Sequence, residues 1–444
     1  MCHRLVRSAR CSHDEEDRRA MQGKRVGWAV LWCATSALAR AQVGPELEQR
    51  LQQVERDNLE LRRRLDAVAD ELERETLGDL IAPLGASTSG LGPASSKVYG
   101  SSGGVSIGGY GEALFKERQG GGRDEADALR SVLYVGYKFD PDWVFNSEIE
   151  FEHGVAADGA DGEVAVEFAY LDGRVCDSLS VRSGLVLIPM GLVNERHEPT
   201  TFPSANRPWV ERVILPATWR ELGLGAWGQT GSLDWRAYVV NGMDAAGFSA
   251  GGVRGGRQNG SEALAEDLAA VARIDWLAGE SLTLGGSAYF GDSGQEQFST
   301  DVSTAIAEAH AQFAWRALTL KCLYAQSELH GVAALNNALG LVGPDSIGER
   351  MRGGYFEASF DVLSAFDSDA RRSLEPFVRL ERYDTQASVP GGFASDPQNE
   401  VEVVSFGIAY RPNDHIVFKL DFNDFDNGAH DAADQLDLAL GFTF

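Results

Sequence analysis

Apolar and polar residues alternate at every second position along most of this chain. In its last segment Leu436, Leu438, Leu440, Phe442 and Phe444 share one face, and Asp437, Ala439, Gly441 and Thr443 share the other. A period of two puts all the large apolar groups on one side of a strand. About sixteen such segments follow residue 103, near 104–118, 128–139, 143–153, 163–173, 178–188, 219–229, 232–242, 264–277, 280–291, 304–315, 317–328, 352–363, 373–384, 400–411, 414–424 and 435–444. Each has roughly the ten residues that a tilted strand needs to cross a bilayer. In several the polar face is charged: Phe145, Ile149 and Phe151 oppose Asn146, Glu148, Glu150 and Glu152, and Phe418, Leu420 and Phe422 oppose Lys419, Asp421 and Asn423. A charged face suits a wet interior better than a packed core.

The connections carry a second pattern. After even-numbered segments they are short, as at Asp140-Pro141-Asp142, Thr230-Gly231, Ala278-Gly279 and Pro412-Asn413; Ser364 to Arg372 is the longer exception. After odd-numbered segments they are long, the longest being Pro189 to Thr218. Short turns at one rim and long loops at the other are the asymmetry of outer-membrane barrels, and an even strand number closes the sheet. The expected fold class is all-β: a 16-stranded antiparallel transmembrane β-barrel over 104–444, preceded by an N-terminal coiled-coil helix. A soluble multi-sheet β-protein is the competing architecture, and it has no reason to sort its loop lengths.

Before residue 77 the period changes. Leu47, Leu51, Val54, Asn58, Leu61, Leu65, Val68 and Leu72 recur at steps of four and three, with charged residues between them. That spacing predicts a coiled coil over 44–76, with Asn58 at an a position fixing register. Residues 77–103 are rich in Gly, Ser and Pro and read as a flexible linker. Further upstream, Lys24-Arg25, the apolar run Val26 to Leu38 and Ala39-Arg40-Ala41 give a signal peptide over 21–41, with the true start at Met21 and residues 1–20 a mis-called start. Cys176 and Cys322 survive removal of that leader; they lie in distant segments, and no disulfide is expected.

Composition sharpens this picture. Hydrophobic content of 43% with a mean hydropathy of −0.21 excludes a helical membrane protein and fits lipid-facing residues diluted by lumen-facing ones. The net charge of −26 argues against nucleic-acid binding. All of it falls in 104–444, where 25 basic residues face 51 acidic ones.

Chemistry concentrates in the longest connection. It carries Glu195, Arg196, His197 and Glu198, then Arg207 and Arg212, and leads to Arg220 in Thr218-Trp219-Arg220-Glu221. These residues, Glu195, Glu198, Arg196, His197, Arg207, Arg212 and Arg220, are the candidate constriction and pore-lining set. With Gly108-Gly109-Tyr110-Gly111-Glu112, Tyr238-Val239-Val240-Asn241-Gly242 and the final Phe444, this text resembles the phosphate-selective porin O and P family. The resemblance covers about 104 to 444, and is specific around 188 to 242 and diffuse elsewhere. It implies a sixteen-stranded, trimeric, passive channel whose third long loop folds inward. Channels of that family line the pore with arginine and lysine, whereas only Lys116, Lys138, Lys321 and Lys419 are lysines in this barrel. The mixture of both signs in the longest connection resembles a general porin's transverse field. The same arginines also read as loop-packing ion pairs.

No catalytic triad, zinc spacing or dinucleotide fingerprint is found, and no cofactor or metal is called for. Gly291-Asp292-Ser293-Gly294 is a lone tetrapeptide without placed partners, and Glu195, His197 and Glu198 have a spacing that matches no helix face. The function expected is passive diffusion of small hydrophilic solutes, with a preference for anions, through the outer membrane of a Gram-negative-type cell. The expected partners are outer-membrane lipid, the solutes or anions, two further copies in a homotrimer, and the cell wall through the periplasmic coiled coil. The alternative is a structural barrel whose stalk tethers the membrane to the wall.

Overall fold

The computed structural model describes residues 49–50, 52–54, 56–65, 68, 87–120, 122–155, 162–366 and 371–444. The expected signal peptide, the segment before it and residues 69–86 lie outside the described residues. Within 49–68 the described residues are helical, and the apolar heptad positions Val54, Leu61, Leu65 and Val68 are exposed. Among the described residues no helix is long and apolar enough to cross a membrane.

Residues 104–444 form sixteen antiparallel strands. The first eight are β1 (Gly104–Arg118), β2 (Glu125–Lys138), β3 (Trp143–Glu152), β4 (Val164–Cys176), β5 (Leu179–Leu187), β6 (Arg220–Thr230), β7 (Leu233–Asn241) and β8 (Leu268–Ala278). The second eight are β9 (Leu282–Asp292), β10 (Ser303–Trp315), β11 (Leu318–His330), β12 (Arg350–Phe360), β13 (Ser373–Ser388), β14 (Glu400–Asn413), β15 (Ile416–Asn427) and β16 (Gln435–Thr443). Every strand pairs with its sequence neighbours, and β1 pairs with β16, so the sheet is a closed barrel. Closure removes the edges that an open sheet would leave unpaired. The connections after odd-numbered strands gather at one rim and those after even-numbered strands at the other, and apart from 361–372 the second set is short, as the alternating lengths predict.

The pleat sorts the residues. Phe356, Leu380, Val404, Phe406, Phe418, Leu420, Leu438 and Leu440 face outward and are exposed, while Glu148, Arg182, Arg236, Glu357, Arg379 and Asp421 face inward and are buried. In β4 a bulge opposite Glu148 and Ile149 turns both Glu167 and Phe168 to the inside. The seam between β1 and β16 depends on close approach. A Cβ on Gly111 would stand 2.3 Å from Phe442 Cζ, and one on Gly109 2.7 Å from Phe444 Cζ. The Gly109 amide donates to the Phe444 carbonyl at 3.0 Å, and the Phe444 amide donates back at 2.9 Å. Two glycines thus make room for two rings from the neighbouring strand. Cys176 and Cys322 are both free and exposed.

One expectation changes. Residues 87–103, the second part of the segment read as a flexible linker, are packed inside the barrel at the rim of short turns. Leu91, Ala94, Ser95, Ser96, Lys97 and Val98 are all buried, and a short helix spans Lys97–Gly100. The small residues that suggested flexibility are what permits a chain to fit in so confined a space.

Candidate functional site: the loop-crossed lumen

The longest connection, 188–219, folds into the barrel and crosses it. Its neck is closed by Asn194, whose amide group donates to the carbonyls of Ile188 (2.6 Å) and Trp219 (2.9 Å) and accepts from the Trp219 amide (2.8 Å). Its tip reaches the wall of β13, β15 and β16. There the Asp421 carboxylate accepts from the Ala205 amide at 2.9 Å, Lys419 Nζ donates to the Ser204 carbonyl at 2.9 Å, and Asn206 donates to Asp437 at 2.6 Å. Arg379 donates to Ser204 Oγ at 2.6 Å while paired with Glu381 (2.6 Å) and Glu357 (3.1 Å). On its return the loop forms the short helix Trp209–Val213. Glu211 in that helix accepts from the Leu192 and Val193 amides (2.7 and 2.8 Å) and from Tyr355 Oη (2.6 Å). Burial raises the proton affinity of Glu211, and these donors work against that rise. Buried polar groups left unpaired are costly, so this many satisfied anchors hold the loop in one position.

The seven candidate residues divide into two groups. His197 Nδ1 donates to the Asn194 carbonyl at 2.8 Å, and its Nε2 meets Glu148 Oε1 at 3.1 Å. Glu195 pairs with Arg236 at 3.3 Å, and Arg220 with the bulge residue Glu167 at 2.7 Å. Glu198 accepts from the Ala94 and Ser95 amides, each at 3.0 Å. Its own burial raises its proton affinity, and those two amides oppose the shift. These four are buried and serve as fastenings. Arg196 and Arg212 are exposed, and Arg207 is half-buried. Arg212 lies over the Trp209 ring at 5.3 Å, and Arg207 donates to the His197 carbonyl at 3.3 Å.

Two further arginines come from the fourth long connection, 242–267, which lies against the crossing loop. Arg257 donates to the Thr218 carbonyl (2.7 Å), the Thr218 hydroxyl (3.0 Å) and the Ala217 carbonyl (3.1 Å). Arg254 donates to Ala217, to Thr218 Oγ1 at 3.2 Å and to the Arg212 carbonyl at 3.4 Å. Among the described residues neither has a carboxylate within ion-pair distance, nor do Arg196, Arg207 and Arg212. Burial first, then the charges of Arg257, Arg212 and Arg207, push Arg254 down to about 9. Burial and Arg220 push Arg257 down to about 10. Arg212 is open to solvent yet enclosed by the surrounding walls, and that desolvation, then the charges of Arg207 and Arg130, also lower it. An anion placed among these guanidiniums would relieve both costs. Their sequence signal is Gly251-Gly252-Val253-Arg254-Gly255-Gly256-Arg257: two cations set in glycine within a strongly acidic chain.

Comparison with known proteins places this architecture. No protein-family model matches the chain. It is 38% identical over 343 residues to an uncharacterised protein of Aquifex aeolicus, covering 75% of this chain and 78% of that one. Among solved structures it is similar to a loop-deletion mutant of the outer-membrane protein OmpT of Vibrio cholerae, with a TM-score of 0.51, 10% identity, and coverage of 77% of this chain and 100% of that one. It is likewise similar to OmpF of Salmonella typhi in complex with daunomycin, with a TM-score of 0.51, 13% identity, and coverage of 77% and 98%. At such identities the likeness is one of fold. The chain belongs to the family of the Aquifex protein.

Proposed function

We propose that this barrel is an outer-membrane pore through which small hydrophilic solutes diffuse passively, and that it prefers anions. The observation that carries the anion preference is the set of arginines without carboxylate partners, Arg207, Arg212, Arg254 and Arg257, gathered on and beside the loop that crosses the lumen. Selectivity follows the charges a solute meets at close range, so an acidic total does not oppose it. The apolar exterior and charged interior support membrane insertion, and the exterior would meet lipid and two further copies in a trimer. Planar-bilayer recording of purified, refolded protein tests both parts. Stepwise conductance with a reversal potential of anion-selective sign in a salt gradient is expected. Absence of steps would overturn the pore, and a cation-selective reversal potential would overturn the preference. Adding phosphate to chloride then reads whether phosphate occupies the arginine set.

A tethering role has its own observation. The heptad residues Val54, Leu61, Leu65 and Val68 leave an apolar stripe exposed on the N-terminal helix, which other copies would cover as a coiled coil on the periplasmic side. Removing 44–76 separates the roles. Loss of envelope attachment with unchanged permeability means a tether to the cell wall, and loss of trimers alone means an assembly device.

A further inference from the structure

The segment 87–101 occupies the lumen at the rim of short turns, and inward-facing side chains of β2, β3, β4, β5 and β7 hold it there. Lys138 at the end of β2 donates to the carbonyls of Tyr99 (3.0 Å) and Ser101 (2.7 Å). Asn146 of β3 donates to the Ser95 carbonyl at 2.9 Å, and Tyr99 Oη donates to Asp172 of β4. Arg182 of β5 donates to Ser89 Oγ at 2.8 Å, and Arg236 of β7 to the Ser89 carbonyl at 3.1 Å. Val98 sits on Gly136, where a Cβ would stand 2.6 Å away, and Ala94 covers Gly108 of β1. From the opposite side the crossing loop closes down through Glu198. Gly92 permits that contact, since a Cβ there would be 2.2 Å from Glu198 Oε1.

This placement has a consequence for the opening that remains. The segment fills the side of the lumen against β1 to β7, and the crossing loop spans to β13, β15 and β16. Between them lies a cavity of about 340 Å³, and Ser87, Ser89 and Gly90 form one of its walls. Arg196 and Pro208 of the crossing loop and Lys321 of β11 contribute to the others. A solute moving through this chamber therefore passes the backbone of the N-terminal segment at close range. We propose that residues 87–101 are a second constriction, built from the chain that precedes the barrel, which sets the size limit of the pore at its inner mouth. This rests on the reading of the barrel as a pore.

Two variants of the full chain test it. Deleting 87–101 removes no strand and no residue of the crossing loop, although it takes from Glu198 its Ala94 and Ser95 donors, and folding of the variant is checked by heat-modifiable gel mobility. Unit conductance should rise by about twofold or more, because conductance follows the narrowest cross-section, and larger sugars should enter proteoliposomes. A folded deletion variant with wild-type conductance and size limit would overturn the proposal. Should the deletion fail to fold, Ser87→Cys in a cysteine-free background carries the test. Disulfide coupling of a bulky thiol reagent should lower unit conductance, and reductant should restore it. Complete labelling by mass with unaltered conductance would equally overturn it. A wild-type protein that shows no conductance removes the pore reading itself, so the two failures are distinct.

Discussion

Two populations of arginine occupy this lumen, and they differ in what surrounds them. Those on the barrel wall are matched. Arg182 meets both oxygens of Asp172 at 2.7 and 2.8 Å and lies 4.0 Å from the Tyr170 ring centre. Arg273 pairs with Asp275 at 2.7 Å, and Arg379 is shared between Glu357 and Glu381. The arginines of the third and fourth long connections meet carbonyls, a hydroxyl and a ring, which position them and leave their charge uncancelled. Carbonyl dipoles orient a guanidinium, whereas a carboxylate neutralises it as well. On the proposed pore reading, the uncancelled positive charge that a solute meets comes from these few arginines, although acidic residues outnumber basic ones two to one in the barrel.

The largest effect should come from breaking a matched cation. Arg379→Met leaves Glu357 and Glu381 without their shared cation and removes two anchors of the crossing loop, at Ser204 Oγ and at the Asn206 carbonyl (3.3 Å), so a loss of about 3–5 kcal/mol is expected. Urea unfolding in detergent, or the temperature at which the compact gel band is lost, measures it. A wild-type midpoint would mean that the wall pairs do not hold the loop. Next comes the unmatched group. The double variant Arg254→Gln and Arg257→Gln should keep its unfolding midpoint and lose most of its anion preference, read as a reversal potential displaced toward zero. Because both residues share Thr218 and Ala217, the single variants should not sum to the double. Arg212→Ala removes one exposed charge and should give a smaller displacement in the same direction. The smallest effect belongs to Arg382→Ala. This exposed residue pairs with Glu402 at 2.9 Å on the outer face, and exposed pairs contribute about 0–1 kcal/mol, so stability and selectivity should both stay near wild type. A selectivity change there would show that distant rim charges matter as much as those inside.

The fold was written plainly in the sequence because a strand exposed to two solvents must alternate. The alternation in Phe418, Leu420 and Phe422 against Lys419, Asp421 and Asn423 is visible residue by residue, and the sorted loop lengths supplied the closure. The inward course of the longest connection was legible only through resemblance. Its internal division was not, since pairing depends on partners far away: Glu198 on Ala94 and Ser95, His197 on Glu148, Arg220 on a residue turned inward by a bulge. The segment 87–101 escaped for a different reason. Small residues serve a free linker and a tightly enclosed chain equally well, and composition has no term for confinement. Arg254 and Arg257 carried a faint signal, two cations among glycines, outweighed by the richer text of the preceding loop.

The meeting of Gly109 and Gly111 with Phe444 and Phe442 bears on how the molecule comes into being. It joins the first and last strands, the pair with the greatest separation along the barrel sequence, whose contact costs the most chain entropy to make. Fifteen hairpin-like pairings can zip locally; this one has to wait for a search. Until it succeeds, two bare strand margins stand open, and either can pair with a stranger before it finds the other.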